Sequence, residues 1–185
     1  MIEVEIRAKL DNPELFVEEM RNRNAEFLGE LIQNDSIYSF EKPGDPIKEN
    51  TIMGRIREEN GKVKVEFKEV CRERGAALEV NTNISERVFG ERLLSKLGLN
   101  NVCEINKTRN MFSVDGFNVC VDHVRGLGDF VEVEKMVGTD EETEKAKESC
   151  IRFLRDIIGD VKLERPYGDL LLEARKNGDK RVCLD

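Results

Sequence analysis

Residues 2–10 alternate apolar and charged side chains without a break, with Val4, Ile6, Ala8 and Leu10 on one side and Glu3, Glu5, Arg7 and Lys9 on the other. A period of two is that of a β-strand with one buried face. The same alternation places Arg55 with Arg57, Lys62 with Lys64, Glu66 and Lys68, Lys107 with Arg109, and Glu132 with Glu134. Strands of this kind must find one environment for their charged sides, so their pairing decides the fold. Asn60-Gly61 and Asp115-Gly116 are strong two-residue hairpin signals, joining strands at 51–59 and 62–71 and at 102–114 and 117–124. Gly126-Leu127-Gly128 turns the chain into a further strand at 130–137.

Two more strands complete the set: one at 27–40, ended by Pro43-Gly44-Asp45-Pro46, and a short one at 77–81. Helical spacing replaces the period of two in three places. Asp11-Asn12-Pro13-Glu14 starts a helix to about residue 24, and Ser85-Glu86-Arg87-Val88 opens one that Gly98 closes. The third begins at Thr139, with Glu142 set for a capping box, and ends near Gly159. Pro166 to Glu173 reads as one or two further helical turns before a polar tail at about 174–185. Eight strands with antiparallel links predict an α+β protein, an eight-stranded antiparallel β-barrel with flanking helices, in a single domain over 1–185.

Closing such a sheet turns its charged face into an interior. Buried unpaired charge is costly, so a lumen lined with Lys and Arg calls for water or an anion. A polyphosphate suits it, because Arg makes bidentate contacts to phosphate, Lys supplies point charges, and carboxylates hold the divalent ions that phosphate chemistry uses. On open strands the same pattern would be a solvated polar face. The formal net charge of −8 argues against a broad nucleic-acid surface but leaves room for a local basic pocket.

The five cysteines, Cys71, Cys103, Cys120, Cys150 and Cys183, have no metal-type spacing and read as reduced thiols. No apolar signal or membrane-length segment is seen, so a cytoplasmic location is expected, with no membrane partner. A homodimer is compatible with the composition. His123, the single histidine, has the opposite strand parity from Asp122 and is expected to face the helix layer.

Glu3-Val4-Glu5-Ile6-Arg7 resembles the Glu-x-Glu-x-Lys signature of the CYTH (triphosphate tunnel) family of CyaB-type class IV adenylyl cyclases and thiamine triphosphatases. Gln33 to Tyr38, Arg55-Ile56-Arg57, Val65 to Lys68 and Lys107-Thr108-Arg109 are similar to later family segments, in order. Val121 to Glu134, with its Gly-Leu-Gly turn, resembles the family's Asp-then-hairpin segment most closely, and Arg165 to Leu171 its terminal element.

The resemblance implies a tunnel in which Arg7, Arg55, Arg57, Lys68, Lys107 and Arg109 contact triphosphate. It implies Mg2+ or Mn2+ on carboxylates drawn from Glu3, Glu5, Glu79, Asp122, Glu132 and Glu134, with Glu3, Glu5, Asp122 and Glu134 acting in catalysis. Two departures stand out. Arg7 replaces the signature Lys, and the fifth strand offers Glu79 between Ala77 and Asn81, one carboxylate short of a pair.

The partner implied is a triphosphate-bearing small molecule: ATP, thiamine triphosphate or inorganic triphosphate. Three functions follow: an adenylyl cyclase making cyclic AMP and pyrophosphate, a triphosphatase, or a polyphosphate- or nucleotide-binding module without turnover. The Asp122 to Glu134 segment favours the cyclase. If the cations crowd together, Arg57→Ala or Arg109→Ala should weaken phosphate binding yet leave the unliganded protein as stable as before.

Overall fold

The computed structural model describes residues 2–43, 45, 47, 48, 52–69 and 79–179, with the backbone alone of Glu69 and Glu79. The strands are β1 (Ile2–Lys9), β2 (Glu26–Ser39), β3 (Ile52–Glu59), β4 (Lys62–Glu69), β5 (Glu79–Ile84), β6 (Asn100–Val114), β7 (Phe117–Val124) and β8 (Gly128–Val137). The helices are α1 (Pro13–Asn22), α2 (Arg87–Lys96), α3 (Thr143–Ile158) and α4 (Tyr167–Lys176). One eight-stranded sheet runs in the order β1-β8-β7-β6-β2-β3-β4-β5.

Both hairpin turns form where the sequence puts them. Asn60 and Gly61 have φ of 48° and 75°, and Asp115 and Gly116 of 52° and 78°, the left-handed pair that a type I′ turn requires. Asn12 caps α1 by accepting a bond from the Leu15 amide at 3.1 Å. The Thr139–Glu142 capping box forms at a 3-10 turn (Asp140–Glu142) that leads into α3, and Gly159 ends that helix at φ 76°.

Three boundaries differ from the sequence reading. β5 runs on through Asn83 to Ile84, because pairing with Val63–Lys68 of β4 overrides the weak strand preference of Asn81 and Asn83. Glu86 rather than Ser85 is the α2 cap, and it makes no side-chain capping bond. α4 extends to Lys176, well past the expected one or two turns, so the tail begins later. Cys71, Ala77 and Cys183 lie outside the described residues.

The chain divides into two compact units. The first takes Met1–Leu31, Thr108–Val124 and Gly128–Arg165. In it β1 pairs with β8 and β8 with β7, and the apolar sides of these strands (Ile6, Ala8, Val119, Val121, Val131 and Val133) are buried under Phe16 and Met20 of α1 and Cys150, Phe153 and Leu154 of α3. Phe117 and Phe153 pack with ring centroids 4.9 Å apart. β1 is continued by a bridge from Ala8 to Leu163 and by the Glu164 amide donating to the Arg7 carbonyl.

The second unit takes Ile32–Lys107, Arg125–Leu127 and Pro166–Asp185. Here α2 covers β3 and β4 through Leu94, Ile56, Val65, Tyr38 and Leu99. The helix sits close because Gly90 has no side chain: a Cβ there would lie 2.9 Å from both Ile84 Cδ1 and Val65 Cγ2. In each unit the helices take the apolar faces of its strands, which leaves the charged faces of those strands on the side away from the helices. Among the described residues no helix is long and apolar enough to cross a membrane.

Candidate functional site

In the first unit, antiparallel register sets Glu5 opposite Glu134 and Arg7 opposite Glu132 on β1 and β8, and Cys120 opposite Glu132 on β7 and β8. Arg109 of β6 is the centre of this group and is only 8% exposed. Its Nε donates to Asp122 Oδ1 at 2.7 Å and its Nη2 to Asp122 Oδ2 at 2.6 Å. Nη2 also bonds Glu132 Oε2, and Nη1 lies 3.7 Å from Glu134 Oε1. Burial works against the Arg109 charge, but Glu132 and Asp122 outweigh it and hold the pKa above its ordinary value. Arg7 shares Glu132, donating from Nε to Oε1 at 2.6 Å, and pairs with Glu5.

Glu3, Glu5 and Glu134 offer carboxylate oxygens that all lie within 4.8 Å of one another. Burial first, and then repulsion from Glu3 and Glu5, push the Glu134 carboxyl up to about 7. Three carboxylates held this close repel when ionised, and a divalent cation would relieve that repulsion. Their oxygens are the hard donors that Mg2+ or Mn2+ takes, so the residues present fit such an ion. Of the sequence-expected metal carboxylates, the described side chains bring these three together. Asp122 and Glu132 are buried against Arg109 instead, and of Glu79 the described backbone places only its pairing with Lys68.

The second unit gathers the cations of β3, β4 and β6. Arg57 grips the buried Asp35 with two bonds, Nε to Oδ1 at 2.7 Å and Nη2 to Oδ2 at 2.6 Å. Arg55 bonds Glu66, which Lys64 also approaches at 3.2 Å. Burial raises the carboxyls of Asp35 and Glu66, but the arginine beside each prevails and holds it below its ordinary value. Lys107, 7% exposed, stands with Nζ 5.1 Å from the ring centroid of Tyr167 at the start of α4, a cation–π contact. Lys68 faces the same side of β4 as Lys64 and Glu66, opposite Met53 and Glu79 in register.

The expectation that these arginines crowd without partners is therefore corrected. Arg57 and Arg109 each hold a buried carboxylate bidentately, so neither can be removed without exposing a buried negative charge. Sequence reasoning left Asp35, Cys120 and Tyr167 without roles. Strand parity alone would have put Cys120 beside Asp122, since they are two residues apart on β7. His123 shares a strand side with Val119 and Val121 but ends exposed, with Nδ1 2.7 Å from Asp129 Oδ1.

The sheet carries paired carboxylates on β1 and β8, Arg55 with Arg57 on β3 and Lys107 with Arg109 on β6, the strand-borne charge pattern of a CYTH-type protein. The chain belongs to the CYTH family: the CYTH domain matches residues 1–167. A Methanocaldococcus jannaschii protein named "Putative adenylate cyclase" is 29% identical over 174 residues, covering 92% of this chain and 98% of that one. The solved PH1819 protein of Pyrococcus horikoshii is 32% identical with a TM-score of 0.74, covering 94% and 99% of the two chains. A Vibrio parahaemolyticus structure, described as a putative adenylate cyclase, shares the fold at 21% identity and TM-score 0.73, over 92% of this chain and 98% of its own. The eight-stranded antiparallel fold expected from the sequence is thus the fold of this family.

Proposed function

We propose that this protein is a metal-dependent enzyme acting on a triphosphate, and specifically an adenylyl cyclase that closes the ribose 3′-oxygen of ATP onto the α-phosphorus and releases pyrophosphate. The observation that carries the reading is the opposite charge of the two groups of side chains. In the first, Glu3, Glu5, Asp122, Glu132 and Glu134 outnumber Arg7 and Arg109 by five to two. In the second, Arg55, Arg57, Lys64, Lys68 and Lys107 outnumber Asp35 and Glu66 by the same margin. The first group suits a divalent cation, and the second suits a phosphate anion.

Glu3, Glu5 and Glu134 are the residues that would hold Mg2+ or Mn2+. When bound, such an ion lowers the pKa of an attacking hydroxyl and neutralises charge on the departing phosphates. Arg55, Arg57, Lys68 and Lys107 would orient the phosphate chain and stabilise the charge that develops on it. Arg109 holds the carboxylates in place, and Arg7 ties Glu5 to Glu132. The cyclase assignment follows the name of the M. jannaschii relative, which spans nearly the whole chain. The same reading places the protein in the cytoplasm, where ATP is available.

Hydrolysis of a triphosphate uses nearly the same groups, with water in place of the ribose oxygen. Ala8-Lys9-Leu10 depart from the continuation of the cyclase-type signature, which favours this second reading, whereas Arg7 in place of the signature lysine favours a binding module without turnover. One experiment separates them: incubation with ATP, thiamine triphosphate and inorganic triphosphate, each with Mg2+ and Mn2+, followed by analysis for cyclic AMP, pyrophosphate and phosphate. Cyclic AMP with equimolar pyrophosphate supports the cyclase, and phosphate alone supports the triphosphatase. No product with any pair would sink both.

A further inference from the structure

Gln33 has no part in the function described so far, yet β2 places it on the same strand side as Asp35, directly opposite Glu59 of β3. It is 2% exposed, and its Nε2 donates to Glu59 Oε2. Its amide oxygen, Oε1, is shielded from water and, among the described residues, accepts no hydrogen bond. We propose that Gln33 is a specificity-determining residue whose Oε1 accepts a hydrogen bond from a ring-bound amino group of the substrate, the chemistry shared by the adenine of ATP and the aminopyrimidine of thiamine triphosphate. This rests on the triphosphate-binding part of the proposed function and extends it to the choice of organic group.

Two features suit Gln33 to this role. An ionised carboxylate can only accept, so Glu59 takes the NH2 end of the Gln33 amide and fixes which end is left over. The remaining end is an oxygen, which pairs with an N–H group and repels another acceptor. The position matches as well. Gln33 and Glu59 lie one side-chain repeat, about 7 Å, beyond Asp35 and Arg57 along β2 and β3, and two repeats beyond Arg55. An ester whose phosphates rest on those arginines can extend its organic end toward Gln33, reached by a turn of the amide about its last torsion, whereas inorganic triphosphate has nothing to place there. A buried acceptor left without a donor is costly, and a site built to bond an N–H group rejects the analogue that lacks it. The substrate amine supplies the missing donor.

The test compares the wild type with Gln33→Leu and Glu59→Gln, using ATP, inosine triphosphate, thiamine triphosphate and inorganic triphosphate as probes. Inosine triphosphate carries an oxygen where ATP carries the amine. Binding is measured by calorimetry at low temperature, with and without Mg2+, and fold integrity by circular dichroism. Gln33→Leu should weaken the amine-bearing ligand about tenfold, the worth of one hydrogen bond, and should not weaken inosine triphosphate or inorganic triphosphate. A loss confined to ATP assigns the purine amine, and one confined to thiamine triphosphate the aminopyrimidine. Glu59→Gln lets the Gln33 amide turn end for end, so it should narrow the preference for the amine-bearing ligand whatever it does to phosphate affinity. A folded Gln33→Leu protein that binds all four ligands as the wild type does, or loses all four equally, overturns the proposal while leaving the triphosphate reading intact. Should that variant fail to fold, wild type that binds ATP no tighter than inosine triphosphate, and thiamine triphosphate no tighter than inorganic triphosphate, overturns it equally. Wild type that binds none of the four defeats the triphosphate reading itself, and this proposal with it.

Discussion

Replacing Arg109 with Ala tests whether the basic side chains of the site are kept for a ligand or also hold the fold. The substitution takes a guanidinium from between Asp122, which is fully buried, and Glu132, which is 2% exposed. Two bonds to Asp122 and one to Glu132 disappear, and Glu134 loses a cation 3.7 Å away. Breaking a buried ion pair from one side typically costs about 3–5 kcal/mol, because the remaining charge stays desolvated. At this chain length 1 kcal/mol shifts Tm by roughly 2–4 °C, so the unliganded variant should melt roughly 6–20 °C lower.

The orphaned carboxyls can escape part of the penalty by taking up protons. The loss should therefore be larger at pH 8 than at pH 5, as more carboxylates must stay charged at the higher pH. Melting curves of metal-free wild type and variant at the two pH values measure both effects. An Arg109→Ala protein that melts at the wild-type temperature or above, at either pH, would refute the argument and restore the view of an unpaired cation strained for want of phosphate.

Glu134→Gln should act in the opposite sense on the metal-free protein. Its carboxyl rises from an ordinary 4.5 to about 7, so the native state holds a proton that the unfolded chain releases, and stability falls as pH rises through that window; above it the amide variant should be more stable by up to about 3 kcal/mol, while losing the stabilisation that Mn2+ gives the wild type in thermal melts. Asp35→Asn removes the partner of Arg57, and urea unfolding at pH 7 should show a loss of about 3–5 kcal/mol; because Arg57 holds the Asp35 carboxyl below its ordinary 3.8, that difference should shrink only as pH falls below about 4 and the wild type itself loses the pair. Gly90→Ala gains about 1 kcal/mol of helix propensity but drives a methyl into Ile84 and Val65, so a net loss of about 1–2 kcal/mol is expected on denaturation, and a stabilised variant would show that α2 can ride outward freely.

Much of the site can be read from local turns, and what cannot is set by longer connections. A two-residue turn at Asn60-Gly61 fixes the β3–β4 register, and it places Arg55 opposite Glu66. The Asp115-Gly116 turn likewise pairs positions at equal distance on either side, so Arg109 and Asp122, six residues out on each arm, face one another. Both ion pairs are therefore implicit in the sequence once the two arms of each hairpin are aligned, whereas alternation within a single strand shows the cations and not their partners. The Gly126 to Gly128 turn similarly put Cys120 against Glu132. The partnership of Arg57 with Asp35 depends on β2 meeting β3, and the approach of Glu5 to Glu134 on β1 meeting β8 across the length of the chain. No local signal sets those registers. The family resemblance implies an eight-stranded fold but fixes neither register, so the partners of Arg57 and Glu134 are legible only in the structure.

Overall net charge is a poor guide to such a protein, and the reason lies in the distribution. A chain at −8 repels polyanions at long range, yet fields inside a water-poor site are set by the nearest groups and are little screened. Here each group of buried charges is mostly neutralised from within: Arg57 by Asp35, Arg55 by Glu66, Arg109 by Asp122 and Glu132. Internal pairing is what allows the strands to fold around so many ionised side chains before any ligand arrives. Beside these pairs, Glu3, Glu5 and Glu134 still bring carboxylate oxygens within 4.8 Å of one another, so negative charge gathers there. A divalent cation would relieve the repulsion within that cluster. The closeness of these three carboxylates, rather than the number of charged residues in the chain, is what supports a metal-dependent reaction.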